Sequence, residues 1–236
     1  MCQSHEDSRE HRPSLDRREA LMLLGSGLGL AALAGCSSRS ITRRLPGPDW
    51  PSPVAADLPK TRDPKVPRTP SQFSNVQNRL TWTRSTPNYN NMLKMSPPKW
   101  VTVHHDGMTV FTSASVSAAR DRLELIRTAH RRDNGWADIG YHYAIDPAGR
   151  IHACRPVQWQ GAHVKNCNPG NIGIVLLGNY ELQRPSQVQL AALKVHVTQL
   201  RRAYSIPRSK VRGHKDWPSA STQCPGRYLH SKLRNV

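Results

Sequence analysis

Asn171–Gly178 reads NIGIVLLG. It is a nearly continuous apolar run of strand length. A strand with one wet face alternates in character, whereas an unbroken run suits a central strand covered on both sides. Upstream, Pro97-Pro98 punctuates the start of a second strand, Lys99–His105. There Val101 and Val103 point one way and Thr102 and His104 the other, which aims His104 into a cleft. A third strand is predicted over Trp136–Ile145, with Tyr141 and Tyr143 on one face and His142 and Ala144 on the other. Asp146-Pro147-Ala148-Gly149 is a tight turn, and Arg150–Arg155 returns as the other half of a hairpin. Gln158–Asn168 reads as a polar loop.

Helical stretches alternate with these strands. Ser115–Arg132 has a serine cap at 115 or 117, an apolar stripe of Ala118, Leu123, Leu125, Ile126 and Ala129, and a stop at Asn134-Gly135. Pro185-Ser186 opens a longer helix running to Tyr204, with Val188, Ala191, Ala192, Val195 and Leu200 expected inside. A short basic helix, Pro225–Leu233, closes the chain. Together these predict an α/β fold, a central mixed β-sheet flanked by helices.

The first 75 residues read differently. Arg17 and Arg18 precede an apolar run, Ala20–Ala34, that is too short for a comfortable permanent span and too continuous for an amphipathic core helix. It ends Leu33-Ala34-Gly35-Cys36, which resembles a bacterial lipobox. The arginine pair resembles a twin-arginine signal, from which Glu19 and Ala20 depart. Residues 1–35 are therefore expected to be an export signal. Cys36 is the expected lipidation site and would anchor the protein in the outer membrane facing the periplasm. Residues 36–75 are dense in proline and charge and read as an extended tether. The functional domain is expected over 76–236.

With 34 basic against 16 acidic residues the chain carries +18. Such a balance favours a polyanionic partner. The charges are scattered, and no helix-turn-helix, zinc-finger spacing or aromatic RNA-binding signature accompanies them, so nucleic acid is not expected. Five cysteines at uneven spacing, Cys2, Cys36, Cys154, Cys167 and Cys224, do not form a disulfide framework. A single bridge between Cys154 and Cys167 is compatible with an oxidising compartment.

Arg212–Arg227, RGHKDWPSASTQCPGR, carries the chemistry. His214 and Cys224, taken with His104, are one ligand short of a closed tetrahedral zinc site, and a catalytic zinc keeps that position open for water. Asp106 and Asp138 lie nearby in sequence without an evident role as general base. His105 and His142 face away from their neighbours and read as structural, and His130, His152, His196 and His230 as surface or helix residues.

The pieces VTVHHD, DIGYHYAIDPAGRI, QGAHVKNCNPGNIGIVLLGNY and RGHKDW…TQCPGRYL, spread in this order over Arg79–Leu229, resemble the zinc amidases of the peptidoglycan-recognition protein and phage-lysozyme-type family. The resemblance implies that His104, His214 and Cys224 bind Zn2+, that Tyr141 is the active-site tyrosine, and that Thr222 sits where the family has threonine or lysine. It implies substrate-cleft positions at His163 and Asn171, which otherwise read as a plain loop histidine and a strand start. The implied reaction is hydrolysis of the amide between the lactyl group of N-acetylmuramic acid and L-alanine, in peptidoglycan or muropeptides; the chain itself is expected to be a monomer. Family members that bind without cleaving typically lack the cysteine ligand. A non-catalytic peptidoglycan-binding module is therefore the alternative.

Overall fold

The structure, a computed structural model, describes residues 73–236. The predicted export signal, the lipidation site Cys36 and the tether up to residue 72 lie outside the described residues. Within them, one six-stranded sheet is built from β1 (Val76–Gln77), β2 (Trp100–His105), β3 (Tyr143–Ile145), β4 (Ile151–Ala153), β5 (Asn171–Leu176) and β6 (Val211–Gly213). The spatial order is β1-β4-β3-β5-β2-β6. The β3–β4 hairpin is antiparallel and every other pairing is parallel. The sheet is mixed and flanked by helices, as the strand and helix alternation predicts.

β5 is buried along its whole length. Its even-numbered residues Ile172, Ile174 and Leu176 join Val101 and Val103 of β2 against α2 (Gln187–Tyr204), through Leu193, Val197 and Leu200. Its odd-numbered Val175, with Leu177 just beyond, faces α1 (Val116–Arg132), through Ala119, Leu123 and Ile126. The two apolar clusters therefore sit on opposite faces of one sheet. Phe73 adds to the α2 side, its ring edge-on to His196 with centroids 5.4 Å apart.

Ser115 and Ser186 cap the two long helices, each side chain accepting a backbone N–H three residues on. The helix stripes differ from the sequence reading. On α1, Leu125 is exposed and Ala119 takes the inner position. On α2, Val188 and Val195 are exposed, and the inner face is Gln189, Leu193, His196, Val197 and Leu200. The inner polar residue Gln189 has a bonding reason to be there: its amide donates to Ile145 O, and its Oε1 accepts from the Tyr180 hydroxyl.

Three further expectations are corrected. The third strand is short, because residues 136–142 approach β3 as an irregular segment. Tyr141 consequently packs with the Ala144 cluster and not with Tyr143. The terminal helix reduces to α3 (Arg227–His230) followed by a 3-10 turn, with Leu229 and Leu233 buried in the core. The Cys154–Cys167 bridge does not form: Cys154 is a free thiol in the α1 cluster, whereas Cys167 packs with Val164 and Trp217 in a separate one.

Candidate active site

Strand register brings the two predicted histidine ligands together. β2 and β6 are parallel neighbours, with Val103 opposite Gly213. His104 and His214 are the residues that follow on each chain, so both emerge at the same level near the carboxyl ends of adjacent strands. Their ring centroids are 4.7 Å apart. Cys224 arrives on the returning loop, which is tied to the histidine segment by Lys215 N–H donating to Cys224 O at 2.8 Å. The donor atoms of His104, His214 and Cys224 all lie within 4.8 Å of one another.

The site is buried, and burial sets its electrostatics. His104 is held well below the ordinary imidazole range, first by loss of water and then by the neighbouring His214 and His163. Burial also lowers His214, to about 4. Both rings are therefore neutral at pH 7 and offer lone pairs. Burial pushes the Cys224 thiol up to about 12, although the His105 N–H hydrogen-bonded to its sulfur works the other way. Two neutral imidazoles and a sulfur, the donor group found among the described residues, match what zinc binds, and a metal cation would ionise a thiol so placed.

Tyr141 stands beside this group, its ring 5.1 Å from that of His104. Burial raises its phenol above the normal range, so the hydroxyl stays protonated and can donate. Thr222 is half-buried two residues before Cys224, and its Oγ1 accepts the Cys224 backbone N–H at 3.1 Å. Asp106 and Asp138 are committed elsewhere. Asp106 accepts from Arg122 at 2.7 and 3.0 Å and from two backbone N–H groups, and Asp138 pairs with Arg79. Neither carboxylate is available as a general base.

The two residues expected at the substrate cleft are both buried. His163 is 3% exposed, and both its ring nitrogens meet protein atoms, His104 Nε2 at 3.1 Å and Asn171 O at 3.0 Å. Asn171 is fully buried; its side chain accepts from the Thr102 hydroxyl and donates to Cys167 O. Both side chains are engaged by protein atoms, and Asn171 is the first residue of β5. The sequence reading missed Trp217, whose indole N–H donates to Thr102 Oγ1 and covers the same face. It also placed His152 at the surface or in a helix, but His152 is a buried strand residue that bonds the Asp146 carboxylate of the hairpin turn.

Residues 94–227 match the family model described as N-acetylmuramoyl-L-alanine amidase. The chain belongs to this amidase family. It is similar to N-acetylmuramoyl-L-alanine amidase of Sus scrofa, 26% identical over 140 residues, covering 58% of this chain and 23% of the pig protein. It is similar to Peptidoglycan-recognition protein LB of Drosophila melanogaster, 28% identical over 138 residues and 58% of each chain. The alignments thus span about a quarter of the one relative and just over half of the other. Among solved structures it resembles a variant of Drosophila PGRP-LB in complex with tracheal cytotoxin, with a TM-score of 0.61, 26% identity, and coverage of 67% of this chain and 92% of that one. The relatives thus carry both amidase and recognition-protein names.

Proposed function

We propose that this chain is a zinc-dependent N-acetylmuramoyl-L-alanine amidase that cleaves the bond between the lactyl carbonyl of N-acetylmuramic acid and the first L-alanine of the stem peptide. The observation that carries this reading is the convergence of His104, His214 and Cys224 beside Tyr141. Zinc held by these three residues would supply Lewis acidity, polarising the scissile carbonyl and lowering the pKa of a water toward roughly 7. The protein's own part is to keep the two imidazoles neutral, hold the sulfur under the His105 amide, and limit competing water by burial. Tyr141, kept protonated, donates a hydrogen bond to the carbonyl oxygen as that oxygen gains charge, an interaction strongest in the transition state. Thr222 offers a hydroxyl hydrogen, while one of the two lone pairs of its oxygen accepts the Cys224 N–H. A muropeptide substrate is in keeping with the related protein solved with tracheal cytotoxin.

We further propose that the enzyme works outside the cytoplasmic membrane, anchored through Cys36. The support is the apolar run ending at a lipobox-like cysteine. All three donors come from one chain, so a monomer suffices. Incubating the zinc-loaded full chain with cell-wall sacculi and with isolated muropeptides, followed by mass spectrometry, tests the activity. Free stem peptide beginning at L-alanine is the expected product. Binding to sacculi with no peptide released by the zinc-loaded protein would favour the non-catalytic module instead.

A further inference from the structure

His163 is buried, and its surroundings give it a task within the protein. Room for its ring is made by two glycines. A Cβ on Gly173 would lie 2.6 Å from the ring, and one on Gly161 would lie 2.5 Å from it. The imidazole thus packs over these glycines and against His104, with ring centroids 5.1 Å apart and ring planes at 83°. Its Nε2 faces the carbonyl of Asn171, which can only accept, so that nitrogen carries the hydrogen. Among the described residues no carboxylate hydrogen-bonds the ring, and a second proton would bury an uncompensated cation. Nδ1 therefore keeps its lone pair and is an acceptor. His104 Nε2, 3.1 Å away, must be the donor. A neutral His104 with hydrogen on Nε2 has its lone pair on Nδ1, the atom 3.6 Å from Cys224 Sγ.

We infer that His163 is a positioning residue: through the relay Asn171 O to His163 to His104, it fixes the tautomer and ring angle that turn His104 Nδ1 toward His214 and Cys224. This rests on the zinc reading of the site, and it goes beyond that reading by assigning the determinant of which nitrogen binds. Groups that orient a metal-ligating histidine are commonly worth about 10–100-fold in metal affinity.

The test compares His163→Phe, which fills the space and offers no acceptor, with His163→Gln, whose amide can accept from His104 and donate to Asn171 O. Zinc affinity of the full chain is measured by chelator competition, and the cobalt-loaded protein is followed by its visible absorption. The expected result is an affinity about 10–100-fold weaker for His163→Phe, with an altered cobalt spectrum, and recovery to within a few-fold in His163→Gln. Wild-type affinity and spectrum in His163→Phe would overturn the inference, as would equal losses in both variants. Should His163→Phe fail to fold, ring 15N spectra of the wild-type chain decide, because hydrogen on Nδ1 of His104 would also overturn it. Failure of the zinc reading has a separate signature: the wild-type chain would take up neither zinc nor cobalt stoichiometrically.

Discussion

The two faces of the central strands do opposite kinds of work. On the α2 side, β2 and β5 present Val101, Val103, Ile172, Ile174 and Leu176 to a mainly apolar layer. On the other side the same strands present Thr102, His104, Asn171, Gly173 and Val175. There the buried polar groups are linked by hydrogen bonds running from Trp217 through Thr102 and Asn171, and from Asn171 O through His163 to His104. The period of two lets adjacent residues serve stability and chemistry separately. A one-residue slip would exchange the two sets, so the aliphatic side also fixes the register on which the site depends.

The strongest way to test this division is to remove a donor from the polar side. His214→Ala and Cys224→Ala are each expected to lower stem-peptide release by on the order of 10⁴-fold, the scale seen when one member of a catalytic unit is lost. Chelator competition should show tight zinc binding gone, while the thermal transition of the metal-free protein stays close to wild type. A cysteine variant retaining full activity would refute the proposed role of the sulfur. The neighbouring pair Ile174 and Gly173 sharpens the comparison. Ile174→Ala should cost about 3 kcal/mol of stability in denaturant titration, from lost burial and an unfilled cavity, with zinc affinity of the folded protein unchanged. Gly173→Ala should cost about 1–3 kcal/mol by overpacking His163, and should weaken zinc binding as well. Equal effects of the two on the metal would mean that the faces are not independent.

Much of this arrangement was legible in the sequence. The apolar run at Asn171–Gly178 announces a strand covered on both sides, and the alternation in VTVHH separates His104 from the valines. The spacing of His214 and Cys224, read with the family resemblance, names the three donors that converge. Hydrophobicity misled where polar side chains face inward. Gln189 and His196 occupy the buried side of α2, which pushes the apparent stripe onto the exposed Val188 and Val195. The hydrogen bonds that bury His163 and Asn171 are not legible from their motif, because a motif records which residues recur and not what lies above or below them. The glycines at 161 and 173 were the available clue, since each leaves a space of ring size. The late start of β3 was not legible, because Tyr141 and His142 carry strand-like letters and His142 still bonds the neighbouring strand, its N–H donating to Gly173 O of β5.

His196, like Gln189, is a polar side chain on the aliphatic side, and it gives a test through acidity. Buried among Phe73 and Tyr143, its imidazole is lowered to about 4 by loss of water. The unfolded chain, with its histidine near 6.5, takes up the proton first as pH falls. The contribution of His196 is therefore complete above pH 6.5 and is lost as pH drops through about 4. His196→Phe should remove roughly one proton from the linkage. The slope of unfolding free energy against pH between 6 and 4.5 would fall by about 1.4 kcal/mol per pH unit. An unchanged slope would show that His196 is already protonated in the fold, or that water reaches it.

The smallest effect is expected at Thr222, where support of the metal and participation in the reaction can be told apart. Its Oγ1 accepts the Cys224 N–H, so Thr222→Val leaves that amide without its acceptor and loosens the turn that aims the sulfur. One hydrogen bond is worth about 1 kcal/mol, or roughly fivefold in zinc affinity. Were this its whole role, kcat measured at saturating zinc would stay at the wild-type value. If the hydroxyl hydrogen also serves the oxygen that gains charge, kcat should fall further, by about tenfold, with little change in KM. Thr222→Ser keeps the oxygen and its hydrogen and should restore both quantities. A valine variant with normal kcat would confine Thr222 to holding the loop and leave Tyr141 as the hydrogen-bond donor of the proposed reaction.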